Sequence, residues 1–262
     1  RLGDAFGDGE VAGMFAGPVP IPIPEGMKDP AQLIRLLANT SFAMQLGKAA
    51  GAMSHEVRGS FDQGLALLKN PAGALIVQNI MAYADSLDIP VAEVMAFIAL
   101  QELAHARLFA AVPWLMPRFE ALIGKYARGI TIDLDAMEEQ LRDAASMDPD
   151  SLSGAVNLTK VGIPDTPEQQ EALASLENLL ALVEGWVDCV TWKAHIPHIE
   201  QLREMSRRER ATGGPAERTF AQLLGMHLRP KRMREAAALW ERIGLEDGDD
   251  ARDTRWSHPD LL

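Results

Sequence analysis

Ala99-Leu100-Gln101-Glu102-Leu103-Ala104-His105-Ala106-Arg107-Leu108-Phe109 is the stretch on which the reading of this chain turns. It is apolar at helical spacing, and on a helix positions 101 and 105 lie one turn apart on the same face. The pattern is HExxH with glutamine in place of the first histidine. In the intact motif two imidazoles bind zinc, and the glutamate between them takes a proton from the metal-bound water. Glu102 keeps the position of that general base and His105 that of the second ligand. Gln101 offers only a neutral carbonyl oxygen, a poor substitute for imidazole at a borderline-soft ion.

Working outward, the helix that carries this stretch should begin near Pro90, where proline is accepted in a first turn, and end about Val112, before Pro113. A further helix is expected from about Trp114 to Tyr126. The best-marked helix starts at Thr166-Pro167-Glu168-Gln169, where Thr caps, Pro opens and Gln completes a capping box. It runs to about Trp192 with an apolar stripe of Leu173, Leu176, Leu180, Val183, Val187 and Val190. Glu184 sits on the shoulder of that stripe, beside Gly185. A three-ligand zinc site needs one more donor, and Glu184 is the candidate. Spacing alone favours a carboxylate that salt-bridges an arginine or is solvated at the helix edge, since an unpaired buried carboxylate is costly.

The rest of the chain also reads as helical. Apolar residues recur at helical spacing from Ala31 to Met53, a second element covers Gly59 to Leu68, and Asp133 to Met147 is amphipathic. A charged helix follows Pro197 and reaches about Arg210, where Gly213-Gly214-Pro215 breaks it. Shorter helices are expected near Ala216–Leu224 and Pro230–Ile243. Leu75-Ile76-Val77, within Ala74 to Ile80, is β-branched enough for a short edge strand. The expected fold class is therefore mainly α, with at most a short edge strand or hairpin. Residues 1–30, with Gly17-Pro18-Val19-Pro20-Ile21-Pro22-Ile23-Pro24, read as an extended N-terminal arm. Residues 31–244 read as one helical domain, and 245–262 as an irregular tail that packs on it through Trp256.

At 262 residues and 47% hydrophobic, the chain can bury a substantial core. It has no charge-free apolar run of about eighteen residues and no signal-peptide pattern at its start, so no membrane association is expected. The single cysteine, Cys189, rules out an internal disulfide framework and suits a reducing compartment, so the cytoplasm is the expected location. A formal charge of -12 argues against a surface that grips nucleic acid. Between Gln201 and Arg234, however, nine basic side chains face three acidic ones, a local balance of +6 that leaves -18 for the remainder. This segment is expected to be exposed and to attract an acidic partner or the chain's own acidic segments. A helix-turn-helix reading around Gly225 is disfavoured by the surrounding negative charge.

Other chemistry-bearing residues are weaker candidates. His195 and His198 are interrupted by Pro197 and have no acidic neighbour in sequence, which points to surface or capping roles. Cys189 has neither an adjacent base nor a second cysteine and reads as an inert core thiol. His227 and His258 have no recognisable companions.

Several stretches together resemble a family of bacterial zincin-like proteins labelled hydrolases, zinc-dependent metalloproteases or deazaflavin-coenzyme biosynthesis-associated proteins. They are Phe97 to Phe109 with Val112-Pro113-Trp114-Leu115, then Val183-Glu184-Gly185-Trp186-Val187, then Leu228-Arg229-Pro230-Lys231-Arg232 with Ala236-Ala237-Ala238-Leu239-Trp240, and Trp256-Ser257-His258-Pro259-Asp260-Leu261-Leu262. The resemblance implies a zincin-like fold in which positions 101, 105 and 184 ligate zinc and Glu102 is the base. With Gln101 at the first ligand position, the expectation is a degraded metallopeptidase site, with His105 and Glu184 as empty ancestral ligand positions and no cofactor. Such a protein would act by binding a protein or peptide. The alternative is a divergent zinc-dependent hydrolase that retains Glu102, His105 and Glu184.

Overall fold

The computed structural model describes most of residues 43–66, all of 72–129 and 166–214, residues 217, 218 and 221, and all of 226–262. The N-terminal arm, most of the helix expected from residue 31, the helix expected at 133–147 and most of that at 216–224 lie outside the described residues. Residues 50–56 are helical in the main.

The longer helices follow from the apolar periodicity and its punctuation. α1 (Val77–Leu87) ends at Asp88, which takes the left-handed conformation at φ 54°. Pro90 then introduces α2 (Val91–Ala111), whose first turn carries Glu93 at the positive end of the helix dipole. α3 (Leu115–Arg128) buries Leu115, Phe119, Leu122, Ile123 and Tyr126, a stripe at three- and four-residue intervals, and carries Lys125 and Arg128 in its last turn.

α4 (Pro167–Thr191) opens on the capping box expected from sequence. The Gln169 amide N–H donates to Thr166 Oγ1 at 3.2 Å, and the Thr166 N–H donates to Gln169 Oε1 at 3.1 Å. The Gln169 side chain also donates to the carbonyl of Tyr126 at 3.2 Å, which ties the start of α4 to α3. α5 (Ile199–Thr212), α6 (Met233–Glu246) and the short α7 (Asp249–Thr254) complete the regular helices, followed by single 3-10 turns at Arg255–Ser257 and Pro259–Leu261.

α4 is the central element, packed against α2, α3 and α6. Its Leu176, Leu180, Val183 and Val187 meet Phe109, Phe119, Leu122 and Trp240 in the main core. A smaller cluster joins Ile80 and Ala84 of α1 to Val94 and Phe97 of α2 and Leu202 of α5. By length and composition alone Val91–Ala111 would suffice to cross a membrane; here it packs between these two clusters.

Two expectations are revised. The stretch 74–80 forms no strand: Leu75 makes an isolated antiparallel bridge with Gly59, and α1 starts at Val77. The four-residue spacing of Ile80 and Ala84, which buries one helical face, outweighs the β-branched run. The C-terminal stretch read as irregular is helical over Asp249–Thr254, and Trp256 stacks between Trp240 and Trp114 at centroid distances of 5.3 and 6.2 Å.

Gly185 lets α4 and α6 pack closely at this point. A Cβ there would lie 2.7 Å from both Ala236 Cβ and the Ala237 backbone nitrogen. Because backbone cannot yield as a side-chain tip can, Gly185→Ala is expected to destabilise the fold by about 1–3 kcal/mol. Urea denaturation measures this, and an unchanged midpoint would show that the two helices are not packed this closely.

Candidate functional site

α2 and α4 bring His105 and Glu184 together. Both side chains are almost fully buried, and His105 Nε2 lies 3.3 Å from Glu184 Oε1. The other ring nitrogen, Nδ1, lies 2.8 Å from the backbone carbonyl of Gln101. A carbonyl only accepts, so Nδ1 donates to it, and a hydrogen bond from Nε2 to the Glu184 carboxylate requires a hydrogen on that nitrogen as well. The Phe61 ring stacks on the imidazole at 5.5 Å and 11° between planes.

Glu184 has a second partner. Its Oε2 accepts from Arg210 Nε at 3.0 Å, and another nitrogen of the same guanidinium donates to the backbone carbonyl of Asp62. Burial pushes the Glu184 carboxyl up, but the charge of Arg210 and the hydrogen bond from His105, with the remaining interactions of the same two residues, hold it below the ordinary carboxylate range. Glu184 is thus both the neighbour of His105 and the salt-bridged carboxylate that the sequence left open.

Glu102 lines the same small space as His105 but is bonded to other partners. It is buried, and it accepts from the Phe61 backbone N–H at 2.8 Å, from Ser60 Oγ at 2.9 Å and from the Ala74 N–H at 3.3 Å. The Ala74 N–H also reaches Ser60 Oγ at 3.0 Å. The position that the resemblance assigns to the general base is therefore filled by a carboxylate that pins residues 60 and 61 within a strap formed by residues 58–62, 64 and 65 against α2 and α4.

The strap is what the sequence reading missed. Its two glycines were the available signal. A Cβ at Gly59 would lie 2.1 Å from Glu102 Oε1, and one at Gly64, whose φ is +71°, would lie 2.2 Å from Glu184 Oε1. Each glycine lets the chain pass over one of the two buried carboxylates. They also explain why residues 59–62 and 64–66 are bridge, turn, bend and irregular backbone rather than the regular element expected over 59–68, of which residues 63, 67 and 68 lie outside the described residues. The space beside Gln101, Glu102, His105, Ser206 and Arg210 amounts to about 30 Å³, room for one or two water molecules.

Among the described residues, no group of three or more His, Cys, Asp or Glu side chains is arranged to hold a metal ion. The other candidates are dispersed. His198 pairs with Glu93 at 2.7 Å, His227 with Glu217 at 3.2 Å, and His258 Nδ1 accepts from the Asp260 N–H, while His195 is exposed. Cys189 is buried, and burial pushes its thiol up.

Every one of the nine basic side chains between 201 and 234 has an acidic partner within the chain. Arg203 and Arg207 both clasp the buried Asp188, Arg203 also reaches Glu241, and Arg210 takes Glu184. Arg208 and Arg234 share Glu204, and their hydrogen bonds hold that carboxyl down to about 2. Arg218, Arg229, Lys231 and Arg232 pair with Glu56, Glu217, Glu177 and Glu235. The local excess of +6 read from sequence is met largely by acids from elsewhere in the chain.

Comparison with known proteins adds one finding. A family model described as zincin-like metallopeptidase matches residues 9–262. Neither the curated proteins nor the solved structures yield a match.

The strap's dependence on glycine is open to test. Gly64→Ala would combine a left-handed backbone with a contact against Glu184 and is expected to cost about 1–3 kcal/mol in urea denaturation. Gly51→Ala, on an exposed helix with nothing within 4 Å, is the control; it should be neutral or stabilising by up to ~1 kcal/mol. Equal effects of the two substitutions would remove the strap from the account.

Proposed function

The chain belongs to the zincin-like metallopeptidase family, and from that premise we propose that its metal centre has become a closed structural site and that the protein acts by binding a protein or peptide. The supporting observation is that the polar groups at the motif are committed within the chain. Glu102 accepts from three donors on or beside the strap, Glu184 is held by His105 and Arg210, and His105 Nδ1 is bonded to its own helix.

Zinc is the usual metal of zincins, and a catalytic zinc takes three protein donors and one open position. The donors here are one imidazole and one carboxylate, with the Gln101 amide in third place, and that set does not fit a catalytic zinc ion. A general base must be within reach of the proton it takes. Glu102, with both oxygens engaged by Ser60, Phe61 and Ala74, is a brace. The partner is not selected by bare positive charge on 201–234, because that charge is balanced internally.

A second reading, a divergent metal-dependent hydrolase using Glu102, His105 and Glu184, has one observation in its favour. Two ligands of a tetrahedral zinc ion at about 2.0–2.1 Å stand about 3.3–3.4 Å apart, which matches the 3.3 Å between His105 Nε2 and Glu184 Oε1. The carbonyl that orients Nδ1 also has the character of a metal-site support.

Metal analysis separates the two. Protein purified without chelator or affinity tag is expected to contain no stoichiometric zinc and to show no metal-dependent peptidase activity. Gln101→His should tighten zinc binding by about tenfold or more, with activity less readily restored than affinity. Stoichiometric zinc in the natural chain, with chelator-sensitive peptidase activity, would establish the second reading instead.

A further inference from the structure

We propose that Arg210 is the resident cation of the former metal centre: its guanidinium holds Glu184 and the strap together where a divalent ion would otherwise compensate the carboxylate, and it keeps such an ion from the His105–Glu184 pair. The proposal rests on the metal-free reading above and goes further by naming what took over the metal's electrostatic work.

The need for a cation comes from Glu184 itself. It is 3% exposed in the middle of the longest core helix, and a buried carboxylate without compensation is strongly destabilising. In a zincin the ion supplies that compensation. Here Arg210 does so from the last turn of α5, with Nε at 3.0 Å from Oε2. Its planar fork directs a second donor to the carbonyl of Asp62, so one group bridges α4, α5 and the strap.

Arg203 and Arg207 of α5 neutralise the buried Asp188 of α4 in the same manner, and Arg208 pairs with Glu204 at the surface. Arg210 is set apart by its partner, since the carboxylate it holds is the one that faces His105. Gly64 closes the arrangement from the other side, where a Cβ would press on Oε1. An added divalent ion at His105 and Glu184 would meet a fixed positive charge already bonded to the same carboxylate, and like charges at that range oppose binding.

Arg210→Met keeps the bulk of the side chain and removes its charge. Titrated with Co²⁺ and followed by the visible absorption of the ion, this variant is expected to bind at least about tenfold more tightly than the natural chain. Co²⁺ should also raise the melting temperature of the variant and not that of the natural chain. If Arg210→Met is unfolded on its own, Co²⁺ is expected to restore its helical circular-dichroism signal, one cation standing in for another. Arg210→Lys, which retains a charge, should bind Co²⁺ no better than the natural chain. Equal Co²⁺ affinity in the natural and Arg210→Met chains overturns the proposal, as does an unfolded Arg210→Met that Co²⁺ does not restore. Stoichiometric zinc in the natural chain would overturn this proposal and the metal-free reading together, whereas a metal-free natural chain with equal Co²⁺ affinities overturns this proposal alone.

Discussion

A carboxylate placed in the middle of a core helix has to be neutralised or bonded, and much of the architecture around α4 follows from how Glu184 meets that requirement. Its two oxygens are divided between a histidine from α2 and an arginine from α5, so three helices are held in register by one ionised group. The arginine then fixes the strap through Asp62, and the strap places Phe61 against the histidine ring. None of these contacts is strong alone in water. In a buried setting they are coupled, because removing any one leaves another polar group without its partner.

Glu102 solves a similar problem by different means. Its compensation comes mainly from uncharged donors, two backbone N–H groups and a hydroxyl, all from the strap or the bridge beside it. Two glutamates of the zincin pattern therefore secure the same segment, one at Gly59 and the other at Gly64. Both carboxylates are buried and both find partners within the chain.

The helices and their caps were legible because they depend on local spacing. Thr166 and Gln169 marked the start of α4, Pro90 the start of α2, and the stripe from Leu176 to Val187 the face that is buried. The meeting of positions 105 and 184 was legible only through a pattern known to place them together, since 79 residues separate them. Arg210 was invisible as a partner for Glu184 because an ion pair leaves no periodic trace in sequence. The same limit left open whether the excess charge of 201–234 meets an acidic partner or the chain's own acidic segments. Charge was counted along the chain, whereas the acids that balance it, among them Glu56, Glu177, Glu184, Asp188 and Glu241, arrive from other segments.

The strap also imposes an order on assembly. Its bonds to α5 join residues far apart in the chain: Arg210 to Asp62 across 148 positions, and Arg58 to Glu209 across 151. Closing loops of that length costs chain entropy that only contacts already formed can offset. The packing of α3 on α4 involves much nearer segments and can come first. The bonds of Glu102 to the strap, across 41 and 42 positions, can form as early, so it is the closure of α5 onto the strap that is favoured late and, by the same reasoning, opens early when the molecule fluctuates.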